Sequence, residues 1–534
     1  MPDTLRSARR RVAQRMSVEQ RVRYLDWKWS RTRRREQREP WIPAQRGFSS
    51  GDLVASNLAT VRSALDDAGA RHLVLPAVSQ FAPTIVIGDA DAEAARDALN
   101  SLSAADGWVV RAREARAVPA DTPVAGNRDG GLLALRVYRN VDGPERRLNT
   151  RAETVTILVF TALEAGVLRA DGDLFEPGTL HRHPRHPVTP VAYLEPREWS
   201  LWSGDASFSP PWPPLIDAIV DPIDVVYTWV DGKDPAWLAR KAERTGGVAS
   251  EDHNPAADVP SRYADRDELR YSLRSLEMYA PWVRHIFIVT DQQRPAWLVD
   301  EHPRVTVVDH SEIFSDPSVL PVFNSHAIES QLHHIPGLSD RYLYVNDDIM
   351  FGRPVLPGTF FGPGGVTKFF RSKAVLDVAP PTPRDLPVLS AAKNNRQLVL
   401  DRFGPAVTQK FKHTPHAQRK DVLEELEAEL PELFEQTERS AVRHPQDISI
   451  ASALHHYWAY ASGRAHEGSI NYGYVDLARD DVDLQLALLR QRRSLDVFCL
   501  NETDASPEQS AHLDEVLPQF LETLFPVPST FERE

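Results

Sequence analysis

Ile223-Asp224-Val225-Val226-Tyr227-Thr228-Trp229-Val230 runs straight into Asp231, and the same arrangement returns three times downstream. His285 to Thr290 precedes Asp291, Val305 to Val308 precedes Asp309, and Tyr342 to Val345 precedes Asn346-Asp347-Asp348. Segments of helical spacing, such as Glu268 to Tyr279, lie between them. Apolar strands alternating with helices predict an α/β fold with a buried, mainly parallel sheet and helices on both faces. Sheets of this kind take ligands beyond the carboxyl ends of their strands, which is where these acids fall. An Asp after a strand is also a common helix N-cap, so each acid alone has a structural reading. Four at equivalent places are the stronger signal.

Outward from this core, the sequence divides into five parts: a basic helical segment (1–50), a smaller α+β domain (51–205), a Pro-rich linker (206–221), the α/β core (222–370) and a helical C-terminal part (371–534). In the α+β domain, Thr84 to Ile87, Leu132 to Val137 and Thr154 to Phe160 read as strands and Ala90 to Leu102 as an amphipathic helix. His181, His183 and His186 cluster there, but no regular element fixes their spacing, and a polar loop explains them better than a metal site. Ser209-Pro210-Pro211-Trp212-Pro213-Pro214 cannot continue a helix or central strand and reads as the linker. In the C-terminal part, Asp421 to Gln436 carries leucines and acids at helical spacing despite Pro431. The stretch from Ser506 has apolar positions enough to pack, but offers no functional clue.

A chain of 534 residues, 42% hydrophobic and 26% charged, exceeds one hydrophobic core and has ordinary globular composition. The single cysteine, Cys499, excludes an intramolecular disulfide and a cysteine-rich zinc site, and fits a reducing compartment. A net charge of −13 argues against general nucleic-acid binding. No apolar run has membrane-spanning length and no secretion signal is visible, so the expected location is the cytoplasm. Between Arg6 and Arg38, arginines alternate with Val12, Met16, Val22, Leu25 and Trp27 as in a basic amphipathic helix. That helix either packs on its own protein or rests peripherally on the anionic inner face of the membrane.

Three polar clusters have the composition for chemistry. Adjacent Asp347 and Asp348, after Asn346, are hard oxygen ligands at a strand end, suited to Mg²⁺ or Mn²⁺ bridging to phosphates, or else form a capped turn. In the run from Arg262 to Leu276, Asp267 or Glu268 can cap a helix. Arg270 and Arg274 there share one face, facing a phosphate or pairing with acids of the same helix. Lys410-Phe411-Lys412-His413-Thr414-Pro415-His416 places two imidazoles beside lysines, a source of a neutral base near a phosphate-binding surface.

Taken in order, these segments resemble the conserved regions of the Stealth family, which includes bacterial capsule and exopolysaccharide phosphotransferases and the animal N-acetylglucosamine-1-phosphotransferase catalytic subunit. The likeness lies in Ile223 to Gly232; in Arg262 through Glu268-Leu269-Arg270-Tyr271-Ser272-Leu273-Arg274-Ser275 to Ile286 and Trp297; in Ala327-Ile328-Glu329-Ser330 with Tyr344 to Gly352; and in His413 to His416 with Arg443 to Asp447. It covers roughly residues 223–460. The resemblance implies a nucleotide-sugar-transferase-like core with a catalytic set of His413, Asp348, Arg443 and Asp267. It implies that Asp231, Trp229, Arg270, Asn346 and His416 bind substrate, and that Asp347 and Asp348 hold Mg²⁺ or Mn²⁺. His413 and His416 remain alternatives for the base.

The reaction so implied transfers a sugar-1-phosphate from a nucleotide-diphosphate sugar, such as a UDP-N-acetylhexosamine, to a hydroxyl of a saccharide acceptor in capsule or exopolysaccharide synthesis. Phosphoryl transfer depends on positioning and charge stabilisation, which a metal, arginines and one base supply. The rivals are a metal-dependent glycosyltransferase, which releases a nucleoside diphosphate, and a non-catalytic carbohydrate-binding protein whose acids are caps.

Overall fold

The computed structural model describes residues 16–76, 79–114, 132–163, 174–182, 191–203, 215–246, 263–382, 384–503 and 505–533. Arg6, Val12, His183, His186, Arg262 and the run Ser209 to Pro214 lie outside the described residues. The chain divides into two compact units, Ser30–Ala218 and a second made of Met1–Trp29 with Ile219–Glu534. Helix α1 (Val18–Glu36) contributes residues to each. No helix among the described residues is long and apolar enough to cross a membrane.

The Ser30–Ala218 unit is α+β. It contains α2 (Ser50–Asp67), β1 (His72–Val74), β2 (Thr84–Gly88), α3 (Ala92–Asn100), β3 (Trp108–Glu114), β4 (Leu132–Arg139) and β5 (Val155–Ala162). The main sheet runs β1-β2-β5-β4-β3, parallel only between β2 and β5. Alternation sends Ile85, Ile87, Ile157 and Val159 against Val61, Leu65, Ala95 and Leu99 of the two helices. Val86, Leu158 and Phe160 face the opposite way, against Leu180, Leu194 and Trp199. His181, also buried, belongs to the short strand Leu180–His181 on that side.

The Ile219–Glu534 unit is built on β6 (Ile223–Thr228), β7 (Ile286–Thr290), β8 (Val305–Asp309), β9 (Arg341–Asn346) and β11 (His416–Arg419), in the order β8-β7-β6-β9-β11. Four of these strands are parallel, and β11 pairs antiparallel with β9. Helices α4 (Pro235–Thr245), α5 (Glu268–Tyr279) and α6 (Ser325–Glu329) lie among these strands in sequence. On one face Tyr227 reaches α5 through a 2.9 Å hydrogen bond to Ser272. On the other, Val226, Tyr342 and Tyr344 enter a core with Val422, Leu426, Leu454 and Trp458. Helices therefore cover both faces, as continuous apolar strands require.

The second core comes from α8 (Lys420–Glu429), α9 (Pro431–Glu438) and α10 (His455–Ala461), with α7 (Pro387–Phe403) alongside. The single helix expected from Asp421 to Gln436 is in fact two. Pro431 has no N–H to donate and disfavours the α conformation in the residue before it; Leu430 duly sits at φ −128°, ψ 45°. A second sheet, β10 (Ile349–Phe351), β13 (Val497–Asn501) and β12 (Tyr472–Asp476), begins two residues after β9 and pairs Ile349 with Cys499. Helix α11 (Pro507–Leu524) starts with a capping box between Ser506 and Gln509 and buries Leu513, Leu517, Leu521 and Leu524. In α1, Leu25 packs on Leu484 and Ala487.

Candidate active site

Thr228 and Asn346 stand opposite each other at the carboxyl ends of β6 and β9, and the loops beyond them converge. The Gly232 N–H donates to the Tyr263 carbonyl, and a Cβ at Gly232 would sit 2.1 Å from that oxygen, so glycine is what lets the 229–233 loop lie against 263–267. Trp229 is buried, and its Nε1 donates to Asp265 Oδ2 at 3.2 Å. The other Asp265 oxygen accepts the Asp267 N–H at 2.9 Å. Asp267 stands at the N-terminal boundary of α5 but in left-handed conformation, φ 66°, with no capping bond from its side chain. A non-glycine residue held there is strained, a condition common at functional sites.

Asp347 and Asp348 form the two-residue turn between β9 and β10. Asp348 Oδ1 lies 3.2 Å from His413 Nε2, while Oδ2 accepts from Asn501 Nδ2 at 3.1 Å and Cys499 Sγ at 3.2 Å. Burial would raise the Asp348 carboxyl, but His413 with these donors outweighs it and the net shift is downward. For His413, burial lowers the basicity, and the adjoining Asp348 charge more than reverses it. Asp347 has no such partner among the described residues. Burial, then the charges of Asp348, Glu268 and Asp265, drives it well above the carboxylate range. Burial likewise pushes Asp265 up to about 6, with Asp267 and Asp231 adding repulsion, and Glu268 up to about 7, with Asp265 adding to it. Carboxylates that crowd and raise one another's proton affinity are an arrangement that a divalent ion relieves.

The 265–268 loop is held from behind by the C-terminal segment. Arg266 donates to Glu502 at 2.5 Å, Asp514 at 2.6 Å and Ser510 at 2.8 Å. Fully buried Glu532 accepts from Arg270 Nε at 2.5 Å and from Arg274 Nε and Nη2 at 2.7 and 2.8 Å. These arginines do pair with acids, but their main partners lie some 250 residues away rather than on their own helix.

The structure brings together Asp231, Asp265, Asp267, Glu268, Asn346, Asp347, Asp348 and His413. Arg443 sits at the margin, its Nη2 donating to Ser325 Oγ at 2.7 Å, with the 443–447 turn tied down by Asn324 and His444 bonding to Asp447 at 2.8 Å each. His416 lies deeper. It is buried on β11 with Nδ1 3.0 Å from His456 Nε2, and burial keeps its basicity far below normal. Of the other strand-end acids, Asp291 pairs with Arg240 at 3.0 Å, and Asp309 forms a capping box with Glu312. The sequence reading passed over Asp265, Cys499 and Asn501 as site residues. Only Asp265 had a nearby signal, the acid-rich run beginning at Tyr263. Glu329, in the Ala327–Ser330 stretch, accepts from Ser452 at 2.8 Å and acts electrostatically on His413.

Fold and site define an α/β protein with an acidic, imidazole-bearing cluster at the carboxyl ends of a mainly parallel sheet. Four family models match it: Stealth protein conserved region 1 over 221–249, region 2 over 262–369, region 3 over 412–460 and region 4 over 487–534. Exopolysaccharide phosphotransferase SCO6023 of Streptomyces coelicolor is 43% identical over 493 residues, covering 90% of this chain and 83% of that protein. Exopolysaccharide phosphotransferase CpsY of Mycobacterium tuberculosis is 42% identical over 66% of this chain and 64% of its own. Among solved structures, galactosyltransferase LgtC aligns with 57% of this chain and 97% of its own at 11% identity and a TM-score of 0.29. The chain belongs to the Stealth family. Region 4 corrects the extent of the likeness, which reaches beyond residue 460 into the tail that carries Asn501, Glu502 and Glu532. Both stretches at Ala327 and Tyr344 fall within region 2, and His413 within region 3.

Proposed function

We propose that the protein transfers a sugar-1-phosphate from a nucleotide-diphosphate sugar to a hydroxyl of a saccharide acceptor in exopolysaccharide or capsule synthesis. The observation that carries this reading is the His413–Asp348 pair beside a cluster of carboxylates that repel one another. His413 Nε2 donates to Asp348, which fixes the ring and leaves Nδ1 to take the acceptor's proton. Asn501 and Cys499 hold the second Asp348 oxygen, so the pair is oriented from both sides. The acceptor oxygen bonds to the phosphorus that carries the sugar. The bond from that phosphorus to the bridging oxygen breaks, and nucleoside monophosphate leaves with the electron pair; the anomeric C–O bond survives.

Asp347 and the neighbouring Asp265 are hard oxygen donors without a cationic partner among the described residues and fit Mg²⁺ or Mn²⁺, and Asp348, paired with His413, would complete the set. The ion would neutralise diphosphate charge. Arg443, whose charge acts on Tyr344 of β9, supplies a fixed positive charge; Asp231, Asp267 and Asn346 line the substrate side, and Arg270, bonded to Glu532, positions the loop behind them. His413 takes the role of base over His416, whose ring is turned into the core toward His456. Val18, Tyr24 and Trp27 of α1 are about half exposed among arginines, which supports peripheral contact with an anionic cytoplasmic membrane face. Retention on phosphatidylglycerol vesicles but not phosphatidylcholine vesicles tests that contact.

Product analysis tests the reaction. The protein is incubated with Mg²⁺, a nucleotide sugar and an oligosaccharide acceptor, and the released nucleotide is identified. A nucleoside monophosphate supports phosphotransfer; a nucleoside diphosphate assigns a glycosyltransferase instead.

A further inference from the structure

His333 and His334, in the 3₁₀ turn Leu332–His334, converge with Glu427 of α8. His333 Nε2 lies 2.9 Å and His334 Nε2 3.0 Å from the same atom, Glu427 Oε2. The second contact sets a constraint. His334 Nδ1 lies 3.0 Å from the Ile313 carbonyl, which only accepts, so Nδ1 carries a hydrogen. In a neutral ring Nε2 then presents a lone pair to a carboxylate oxygen, which is repulsive. A proton on His334 or on Glu427, or a metal ion between the two, removes that repulsion.

Several observations favour the metal. The three ligand atoms lie within 4.8 Å of one another. Two imidazoles and one carboxylate are a zinc ligand set, and ligands at zinc distances stand about 3.3 Å apart in a tetrahedron, a few tenths beyond the 2.9 and 3.0 Å that separate the two imidazole nitrogens from Glu427 Oε2. The Ile313 carbonyl is the outer acceptor that a ligating histidine ordinarily engages through its other nitrogen. His333 is fully buried, while the side chains of His334 and Glu427 are 28% and 30% exposed, which leaves one side open to water.

We propose that His333, His334 and Glu427 form a three-ligand Zn²⁺ site with water in the fourth position, separate from the acidic cluster at the strand ends. Its position gives it a mechanical role. The turn leads into β9, which ends at Asn346, and α8 directly follows β11, whose lead-in carries His413. Zinc ties these two elements together.

The full chain, freed of metal by chelator dialysis, is titrated calorimetrically with ZnCl₂ in Mg²⁺-containing buffer. One equivalent is expected to bind, and His334→Gln is expected to weaken it by more than about 100-fold, beyond the loss typical of removing an outer partner. No zinc binding, or equal affinity in His334→Gln, overturns the proposal. Co²⁺ substitution in the wild-type chain decides independently of whether the variant folds. Tetrahedral d–d bands without thiolate charge transfer support the site, whereas a thiolate band places the metal at Cys499, beside Asp348 and His413, and overturns it.

Discussion

Glu532→Gln removes a charge far along the chain from the acidic cluster, yet it should disturb that cluster. Although burial opposes ionisation, the hydrogen bonds and charge of Arg274, with the Ser529 N–H and Arg270, hold the Glu532 carboxyl down from the ordinary 4.5 to about 2. At ~1.4 kcal/mol per pKa unit, this gap of about 2.5 corresponds to about 3 kcal/mol. The folded pKa is depressed, so the contribution is complete above the unfolded value and lost as pH falls from 4.5 toward 2. The amide keeps the shape but leaves buried Arg274 short of its main counter-charge, a loss that commonly costs ~3–5 kcal/mol. Urea unfolding of the Ile219–Glu534 unit, followed by tryptophan fluorescence, should show a deficit of about 3 kcal/mol at neutral pH that shrinks toward pH ~2. Turnover should fall as well, because Arg270 and Arg274 fix the helix that opens at Glu268. A deficit under about 1 kcal/mol at neutral pH, or one independent of pH, would refute the reasoning.

His413→Ala should lower kcat by about 10²–10⁴-fold with little change in donor KM, as for loss of a positioned base; steady-state kinetics with varied nucleotide sugar checks it. The base must be unprotonated and Asp348 raises its affinity for protons, so the acid limb of the pH–kcat profile should have its midpoint above 6.5. In Asp348→Asn the residual activity should show that limb at lower pH, and an unmoved limb would assign it to another group. Asp347→Asn should raise the Mg²⁺ concentration needed for half-maximal rate by at least about tenfold, measured by metal titration of activity. An unchanged metal requirement would remove Asp347 from the ligand set.

The sheet was legible because its strands are buried on both faces and announce themselves as continuous apolar runs. Glu268 to Tyr279 was legible from its spacing. The break at Leu430 was obscured because leucines keep helical spacing through Pro431, although backbone chemistry forbids continuity there. The site was legible where it is local: Asp347 and Asp348 are adjacent, and His413 lies in a recognisable run. It was not legible where it depends on distant pairing. Cys499 and Asn501 reach Asp348 only because β13 pairs with β10, and nothing in Val497 to Asn501 distinguishes it from an ordinary core strand. The pairing of Arg270 and Arg274 with Glu532 is hidden for the same reason, since i,i+4 spacing on a helix names neighbours within that helix and none across the fold.

The support of Asp348 and of the 265–268 loop by residues between 499 and 532 has a consequence for synthesis. A ribosome delivers Asp231, Asp267, Asp348 and His413 well before Cys499, Asn501, Glu502 and Glu532. Until those last residues emerge, the His413–Asp348 pair lacks half its anchoring and Arg266 and Arg274 lack their counter-charges. Nascent chains, and fragments terminated short of residue 497, should therefore be silent, which would keep unfinished molecules from consuming activated sugar.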